Sequence, residues 1–330
     1  MSVGSSGLRA FWTSLLVVGA LIAASERSEA DAWPDRPVKI VVAYSAGGSG
    51  DIVARALAQK LTETFGQSFY VENRPGASGN IGTDFVAKAP PDGYTLLLAS
   101  DIQFAIGPNF DSNLPFQVKE FAPVSLVADV DLVLVAHPSL EANSVRELID
   151  LAKKDPGKIN YGSTGPGSTH ELATELLQQL GQFKLTEVPY RGSGQTLPDL
   201  LSGRMQIMLL GVPQSLPYLH DGQLKALAVG ALHRIHSLPD VPTIAEQGFS
   251  GFEATNYWCL YVPAGTPKDV IARLQQETAR GVSAADLRDR FLASGLTPIG
   301  STPDVLAARI DRDSAKWAGV LRDMRQRTTK

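Results

Sequence analysis

Residues 43–51 read AYSAGGSGD, and this glycine-rich turn decides how the surrounding chain folds. The β-branched run VKIVV, residues 38–42, precedes it and predicts a strand. After the turn, apolar residues recur every four positions and predict one face of a helix: Val53, Leu57, Leu61 and Phe65. A strand, a glycine turn and a helix in this order direct backbone N–H groups and the positive end of a helix dipole at one point. That arrangement favours a small anion such as a carboxylate.

Residues 161–170, YGSTGPGSTH, form a second turn of the same kind. Ser168 and Glu171 have the spacing of a capping box, in which a hydroxyl and a carboxylate satisfy backbone donors at a helix start. His170 stands at the mouth of this turn, where a capping or packing role is the alternative to a ligand contact. Two such turns predict that two parts of the protein face one anion from opposite sides.

Strand-like and helix-like runs alternate over most of the chain. Strands are predicted at 68–72, 94–99, 159–163, 185–189, 205–210 and 224–229, and further apolar stretches cover 124–136 and 258–262. Alternation of this kind predicts an α/β fold with a largely parallel sheet covered by helices. Ligands of such sheets bind at the carboxyl ends of the strands, where both glycine-rich turns lie.

The amino terminus predicts an exported protein. Arg9 is followed by an apolar run over 11–24 and by ADA at 30–32, the layout of a secretory signal with cleavage after Ala32. A membrane anchor is the alternative, but the apolar run is shorter than the ~20 residues that span a bilayer. The mature chain is long enough for two domains, and its net charge of −4 with no basic block argues against nucleic acid as a partner. The single Cys259, among apolar neighbours, is predicted to be a buried structural thiol.

The motifs of several enzyme classes are missing. The glycine spacing of 47–50 does not fit a dinucleotide fold, and no phosphate-loop lysine follows. Neither Ser49 nor Ser168 has the second glycine of a nucleophile elbow. The histidines are scattered, so neither a metal nor a cofactor is predicted. Arg191, after the predicted strand 185–189, is either a partner for a carboxylate or a rim residue facing water.

Seven motifs, in order along the mature chain, resemble the Bug receptors, the extracytoplasmic solute-binding proteins of tripartite tricarboxylate transporters. They are WPDRPV at 33–38, GGSGDIVAR at 47–55, VENRPG at 71–76, PDGYTL at 91–96, VPYRG at 188–192, PDVPT at 239–243 and PAGTP at 263–267. The resemblance implies a type II periplasmic binding protein: two α/β lobes joined by two crossing strands, near 132–136 and 257–262. It implies a signal peptide at 1–32, a first lobe from 33–131 and 258–330, and a second lobe from 132–257.

The resemblance also implies the function and the site. It implies a monomeric periplasmic receptor, without enzymatic activity, that captures a small organic carboxylate and presents it to the membrane carrier subunits of a transporter. A sensor for a membrane kinase shares this binding chemistry, and a secreted serine hydrolase is the alternative from another class. The implied ligand contacts are Tyr44, Ser45, Ala46, Gly47, Gly48, Ser49, Asp51, Ser100, Ser163, Thr164, Gly165, Gly167, Ser168, His170 and Tyr190. Two residues depart from the pattern of the Bug receptors. Gly50 stands where the family often has serine or threonine, and Gly211 stands where many members have an acid that would suit an amino-acid ligand.

Overall fold

The computed structural model describes residues 33–328, with side chains to Arg322. The predicted export signal at 1–32 lies outside the described residues. The ten strands are β1 (Val38–Val42), β2 (Phe69–Asn73), β3 (Thr95–Ser100), β4 (Phe121–Ala136), β5 (Asn160–Ser163), β6 (Thr186–Pro189), β7 (Ile207–Gly211), β8 (Lys225–Val229), β9 (Thr255–Pro263) and β10 (Leu296–Pro298).

Helices accompany the strands in both halves of the molecule. They are α1 (Ser49–Phe65), α2 (Asn80–Ala87), α3 (Gly107–Phe110), α4 (Val145–Lys154), α5 (Thr169–Gly181), α6 (Leu197–Leu201), α7 (Val212–His220), α8 (Lys268–Ser283), α9 (Ala285–Ala293) and α10 (Pro303–Thr328). Across 33–328, none of them is both long enough and apolar enough to cross a bilayer.

The first sheet has the strand order β2-β1-β3-β9-β4, with β10 added along β4. Its outer strands β2, β1 and β3 are parallel, whereas β9 is antiparallel to both β3 and β4. The sheet is therefore mixed rather than largely parallel. The difference arises because β4 and β9, the two strands that connect the halves of the molecule, lie side by side and run in opposite directions. Parallel neighbours, by contrast, are joined by a crossover that usually contains a helix.

A second sheet begins within β4 itself. Residues 121–131 of this strand pair with β9, and residues 132–136 pair with β7 and β8. Strand β5 then runs parallel to β7 and β6. One continuous strand thus takes part in both sheets, and the pairing changes between Asp131 and Leu132.

Three clusters of buried side chains, one in the first lobe and two in the second, divide the fold into two lobes. The core of the first lobe draws on residues 33–130 and 257–321, with Leu172 added from the second lobe. The core of the second lobe draws on residues 132–254. In the first lobe, Val53, Leu57 and Leu61 of α1 are fully buried, as their spacing predicts. The helix ends at Gly66, whose φ of 69° satisfies the left-handed C-terminal cap.

Cys259 is buried in the middle of β9, as predicted. Its neighbours across the ladder are Ala99 of β3 and Leu126 of β4. Burial among these apolar residues raises the pKa of the thiol well above its usual range. The thiol therefore packs as a small apolar group.

Candidate functional site

The first glycine-rich turn connects β1 to α1 and is held by its own acidic residue. Gly47 has φ = 80°, and its N–H donates to Asp51 Oδ2 over 3.1 Å. Arg55 Nε donates to the same oxygen over 2.9 Å. Burial opposes ionisation of Asp51, but the Arg55 and Gly47 bonds lower the pKa of its carboxyl on balance. Asp51 Oδ2 therefore shapes the turn, while Asp51 Oδ1 is buried without a hydrogen-bond partner among the described residues.

Helix α1 begins without a side-chain cap. Its N-cap residue is Gly48, in an extended conformation that any residue can adopt, and no side chain bonds to the first turn. The first backbone N–H groups of a helix have no partners inside the helix. An uncapped N-terminus of a 17-residue helix is thus directed at the space between the lobes.

Tyr44 forms a wall beside this turn and is fixed by hydrogen bonds. Its hydroxyl lies 3.0 Å from Ser100 Oγ and accepts from Gln103 Nε2 over 2.8 Å. It also donates to the carbonyl of Ser78 over 3.2 Å. Burial raises the pKa of the phenol, so it stays neutral. The hydroxyl of Ser100 takes part in this network and holds Tyr44 in position.

The second turn connects β5 to α5 and is capped in the predicted manner. Ser168 Oγ accepts from the N–H of Glu171 over 3.2 Å. Thr164 Oγ1 lies 3.1 Å from Nδ1 of His170. Burial lowers the pKa of His170 to about 4, so the imidazole is neutral near pH 7.

A third segment, residues 191–194, brings the second lobe onto the first turn. The backbone of Gly194 lies against Ala46, and a Cβ added to Gly194 would stand 2.1 Å from the Ala46 carbonyl oxygen. A Cβ added to Gly48 would stand 3.0 Å from Ser193 Oγ. Arg191 itself is exposed and does not line the cavity between the lobes, which agrees with the rim alternative.

Two hydrogen bonds join the lobes near the turns. Thr169 Oγ1, at the start of α5, donates to Asp101 Oδ2 over 2.7 Å in a buried contact. Ser78 Oγ donates to the carbonyl of Pro166 over 2.8 Å. Complete burial raises the pKa of the Asp101 carboxyl to about 7, although the Thr169 bond opposes the rise. The lobes are thus in direct contact around the site.

The turns enclose a cavity of about 20 Å³, which is room for about one water molecule. It is lined by both lobes and by the strand that connects them: Tyr44, Gly48, Ser49, Gly50, Ile102, Thr164, His170, Ser193, Asn256 and Trp258. A groove of about 630 Å³ at the C-terminal ends of α4 and α5 is larger, but it lies on the outside of the second lobe and meets neither turn.

Five of the predicted contacts line this cavity: Tyr44, Gly48, Ser49, Thr164 and His170. The other predicted contacts do not line it. Ser163 Oγ bonds to Glu187 and Tyr190 OH to Asp199, while Gly165 and Gly167 have positive φ values that shape the second turn. Ser45, Ala46 and Gly47 contribute turn backbone, and Ser45 Oγ is buried without a hydrogen-bond partner.

Gly50, Ile102, Ser193, Asn256 and Trp258 line the cavity without having been predicted to. Ser193 follows a segment that the sequence had already marked at the sheet edge, so its position could have been found. Trp258 and Asn256 lie on β9, whose residues are almost all buried and therefore show no alternation to mark the face toward the cavity.

The chemistry of the cavity is that of neutral donors. Its ten lining residues include no Lys, Arg, Asp or Glu, and His170 is uncharged. Within 33–328, no cluster of His, Cys, Asp or Glu could hold a metal ion. Ser168 is occupied as a helix cap. The arrangement can bind an anion through peptide N–H groups, hydroxyls and helix ends.

Comparisons with known proteins agree with this geometry. The tripartite tricarboxylate transporter family receptor matches residues 53–325. BugT of Bordetella pertussis is 37% identical over 314 residues, which are 94% of this chain and 96% of that protein. A solved R. palustris protein with adipate is similar with a TM-score of 0.86 at 34% identity, covering 88% of this chain and 97% of that one. MatC from Rhodopseudomonas palustris with bound malate gives a TM-score of 0.83 at 29% identity, covering 87% and 99%.

The expected two-lobed α/β fold is confirmed by these solved structures. The relatives are binding receptors rather than enzymes, which confirms the expectation of a protein without catalytic activity. The match covers most of the sequence. The chain belongs to the tripartite tricarboxylate transporter receptor family, to which its resemblance to the Bug receptors pointed.

Proposed function

We propose that this receptor captures a small organic carboxylate between its two lobes and presents it to the membrane carrier of a tripartite transporter. The observation that carries the proposal is the uncapped N-terminus of α1, which faces the second turn across the interlobe cavity. Backbone donors and a helix dipole stabilise a carboxylate without any cationic side chain. The ligand contacts we propose are the five predicted residues that line the cavity.

The absence of charge among the lining residues narrows the ligand class. A carboxylate bound by neutral donors keeps its charge, because each oxygen accepts several hydrogen bonds. A ligand with an ammonium group would need an acid, and no acidic residue lines the cavity. Related receptors solved with adipate and with malate support a small dicarboxylate for this chain.

The size of the cavity implies motion. Ligand pockets typically measure about 300–1,000 Å³, far more than the volume enclosed here. The lobes must therefore separate to admit a dicarboxylate and then close over it. Strands β4 and β9, which connect the lobes, are the segments about which we infer that this rotation takes place.

The compartment and the domain bounds remain part of the proposal. Residues 8–32 have the layout of an export signal, so we propose a periplasmic, monomeric protein that begins near Trp33. We also propose lobe bounds of 33–131 with 258–330, and of 132–257. The change of core between Val130 and Leu132 supports the first bound. Amino-terminal sequencing of exported protein tests the cleavage, and an intact Met1 would contradict it.

A thermal-shift panel tests the ligand class. Malate, succinate, adipate and citrate are compared with succinamide, which matches succinate in length but carries no charge. A ligand that binds only the folded protein adds about 2.7 kcal/mol at a hundredfold excess over its Kd, so the melting temperature rises. We expect a rise with at least one acid, none with succinamide, and recovery of the acid unaltered by mass spectrometry. An equal rise with succinamide, or a hydrolysed product, would contradict the proposal.

A further inference from the structure

Trp258 lies at the floor of the interlobe cavity, on the strand that connects the lobes. In the ladder it is opposite Ser100 of β3 and Ala128 of β4, and only 4% of its surface is exposed. Its side chain extends over the first turn of α1 and lines the cavity beside Gly50. The indole thus occupies space that the ligand would otherwise share.

The indole fits only because residue 50 is glycine. A Cβ added to Gly50 would stand 2.5 Å, 2.7 Å and 2.8 Å from three carbon atoms of the six-membered ring of Trp258. Gly50 lies inside α1, and it is absent from the glycines with positive φ, so its backbone does not require glycine. Glycine is also a poor helix former. Space for the indole is therefore the physical reason for this glycine.

Tyr44 holds the indole from the other side. The two ring centroids are 5.6 Å apart and the ring planes meet at 82°, an edge-to-face contact. Tyr44 is itself fixed by Ser100, Gln103 and Ser78, as described above. Contacts with the first turn of α1 and with Tyr44 thus hold the indole in place. It forms a rigid wall of the site.

Resting on the carboxylate function proposed above, we propose that Trp258 is the specificity-determining residue that restricts this receptor to short dicarboxylates. Because the indole fills the space beside Gly50 and Tyr44, longer unbranched acids need volume that it already occupies, whereas shorter acids need less of it. The indole Nε1 is buried without a hydrogen-bond partner among the described residues.

Calorimetry over a length series tests this inference. The Kd values of malonate, succinate, glutarate and adipate are measured for the wild type and for Trp258→Phe, Trp258→Leu and Trp258→Ala. We expect the wild type to bind adipate at least about tenfold more weakly than the best short acid. This ratio should decrease in the order Trp258→Phe, Trp258→Leu and Trp258→Ala as the side chain becomes smaller.

The possible outcomes separate this inference from the proposed function. Binding with the same length preference in Trp258→Ala and Trp258→Leu would overturn the role of Trp258 and leave the carboxylate receptor standing. A wild type that binds no acid would overturn both. The packing is tested without ligand by thermal denaturation: Gly50→Ala should lower the melting temperature of the wild type but not that of Trp258→Ala. Equal effects of Gly50→Ala in the two backgrounds would contradict the contact on which the inference rests.

Discussion

Gly194 of the second lobe lies so close to the carbonyl oxygen of Ala46 in the first lobe that no side chain fits between them. The contact joins the segment after β6 to the turn before α1, and it exists only when the lobes are together. Gly194 is also absent from the positions with positive φ, so alanine is compatible with its backbone. The contact therefore offers a direct test of closure.

Gly194→Ala is expected to keep the lobes apart. Its Cβ would stand 2.1 Å from Ala46 O and 3.1 Å from Gly48 N, which are backbone atoms that cannot rotate away. Small-angle scattering should show that acid makes the wild type more compact but not the variant, and the affinity should fall by at least about tenfold. Gly319→Ala on α10 is the control, since nothing lies within 4 Å of its added Cβ. Normal compaction of Gly194→Ala would contradict lobe closure through this contact.

Gly48→Asp is expected to repel the ligand. The backbone of Gly48, with φ = −78° and ψ = 169°, accepts any residue, and its position lines the cavity. An aspartate would place a negative charge where we propose that a carboxylate binds. Gly48→Asn has almost the same shape without the charge and is the matched control. Calorimetry should show at least about tenfold weaker binding for Gly48→Asp than for Gly48→Asn; equal affinities would remove this turn from the anion site.

Asp101 is expected to make stability fall as the pH rises. In the folded protein burial raises its pKa to about 7, from an ordinary value of 3.8. Between these two values the folded state binds a proton that the unfolded state has lost, so the free energy of unfolding decreases with increasing pH. The loss is complete above the folded pKa. His170, with its pKa lowered to about 4, acts in the opposite direction between that value and 6.5, so only a difference between variants isolates Asp101.

The measurement is urea denaturation of the wild type and Asp101→Asn between about pH 5 and pH 8. Asparagine can still accept the Thr169 hydrogen bond but does not titrate in this range. We expect Asp101→Asn to lose less stability than the wild type as the pH rises. Exposed Asp311 on α10 supplies the control, and Asp311→Asn should follow the wild type. Parallel curves for the wild type and Asp101→Asn would show that Asp101 does not titrate in this range.

Cys259 is expected to be inert in the native protein. It is fully buried on β9, and burial keeps the thiol protonated by raising its pKa. A maleimide reagent should label the protein only after denaturation, and then at one site, because the chain has a single cysteine. Rapid stoichiometric labelling of the native protein would show that β9 opens to solvent.

Sequence patterns predicted the parts of the fold that depend on residues close together in the sequence. The four-residue spacing from Val53 to Leu61 places α1, and the Ser168–Glu171 capping box places α5, where Ser168 Oγ accepts from the N–H of Glu171 over 3.2 Å. The parts of the fold that the patterns did not predict depend on residues that are far apart in the sequence. The antiparallel strands β4 and β9 follow from how the chain crosses between lobes, and the alternation of strands and helices does not contain that information.

The candidate site shows the same division. The two turns could be found from glycines, hydroxyls and flanking strands, because these features are local. Asp51 is among the predicted ligand contacts, and its Oδ2 accepts from Gly47 and Arg55, which only the folded turn brings to it. Gly50 was noticed as a departure from the Bug pattern. Its physical reason, Trp258, lies in a distant part of the sequence and meets it only through the register of β9.

The position of β9 has a consequence for the order in which the molecule can assemble. This strand lies between β3 and β4 in the sheet of the first lobe, yet it follows all five strands of the second lobe's sheet along the chain. Until residue 263 has been synthesised, the amino-terminal lobe lacks a central strand and cannot complete its ladder. In a newly made chain the sheet of the first lobe therefore stays incomplete through most of the synthesis. That delay suits a protein proposed to pass through a membrane before it folds.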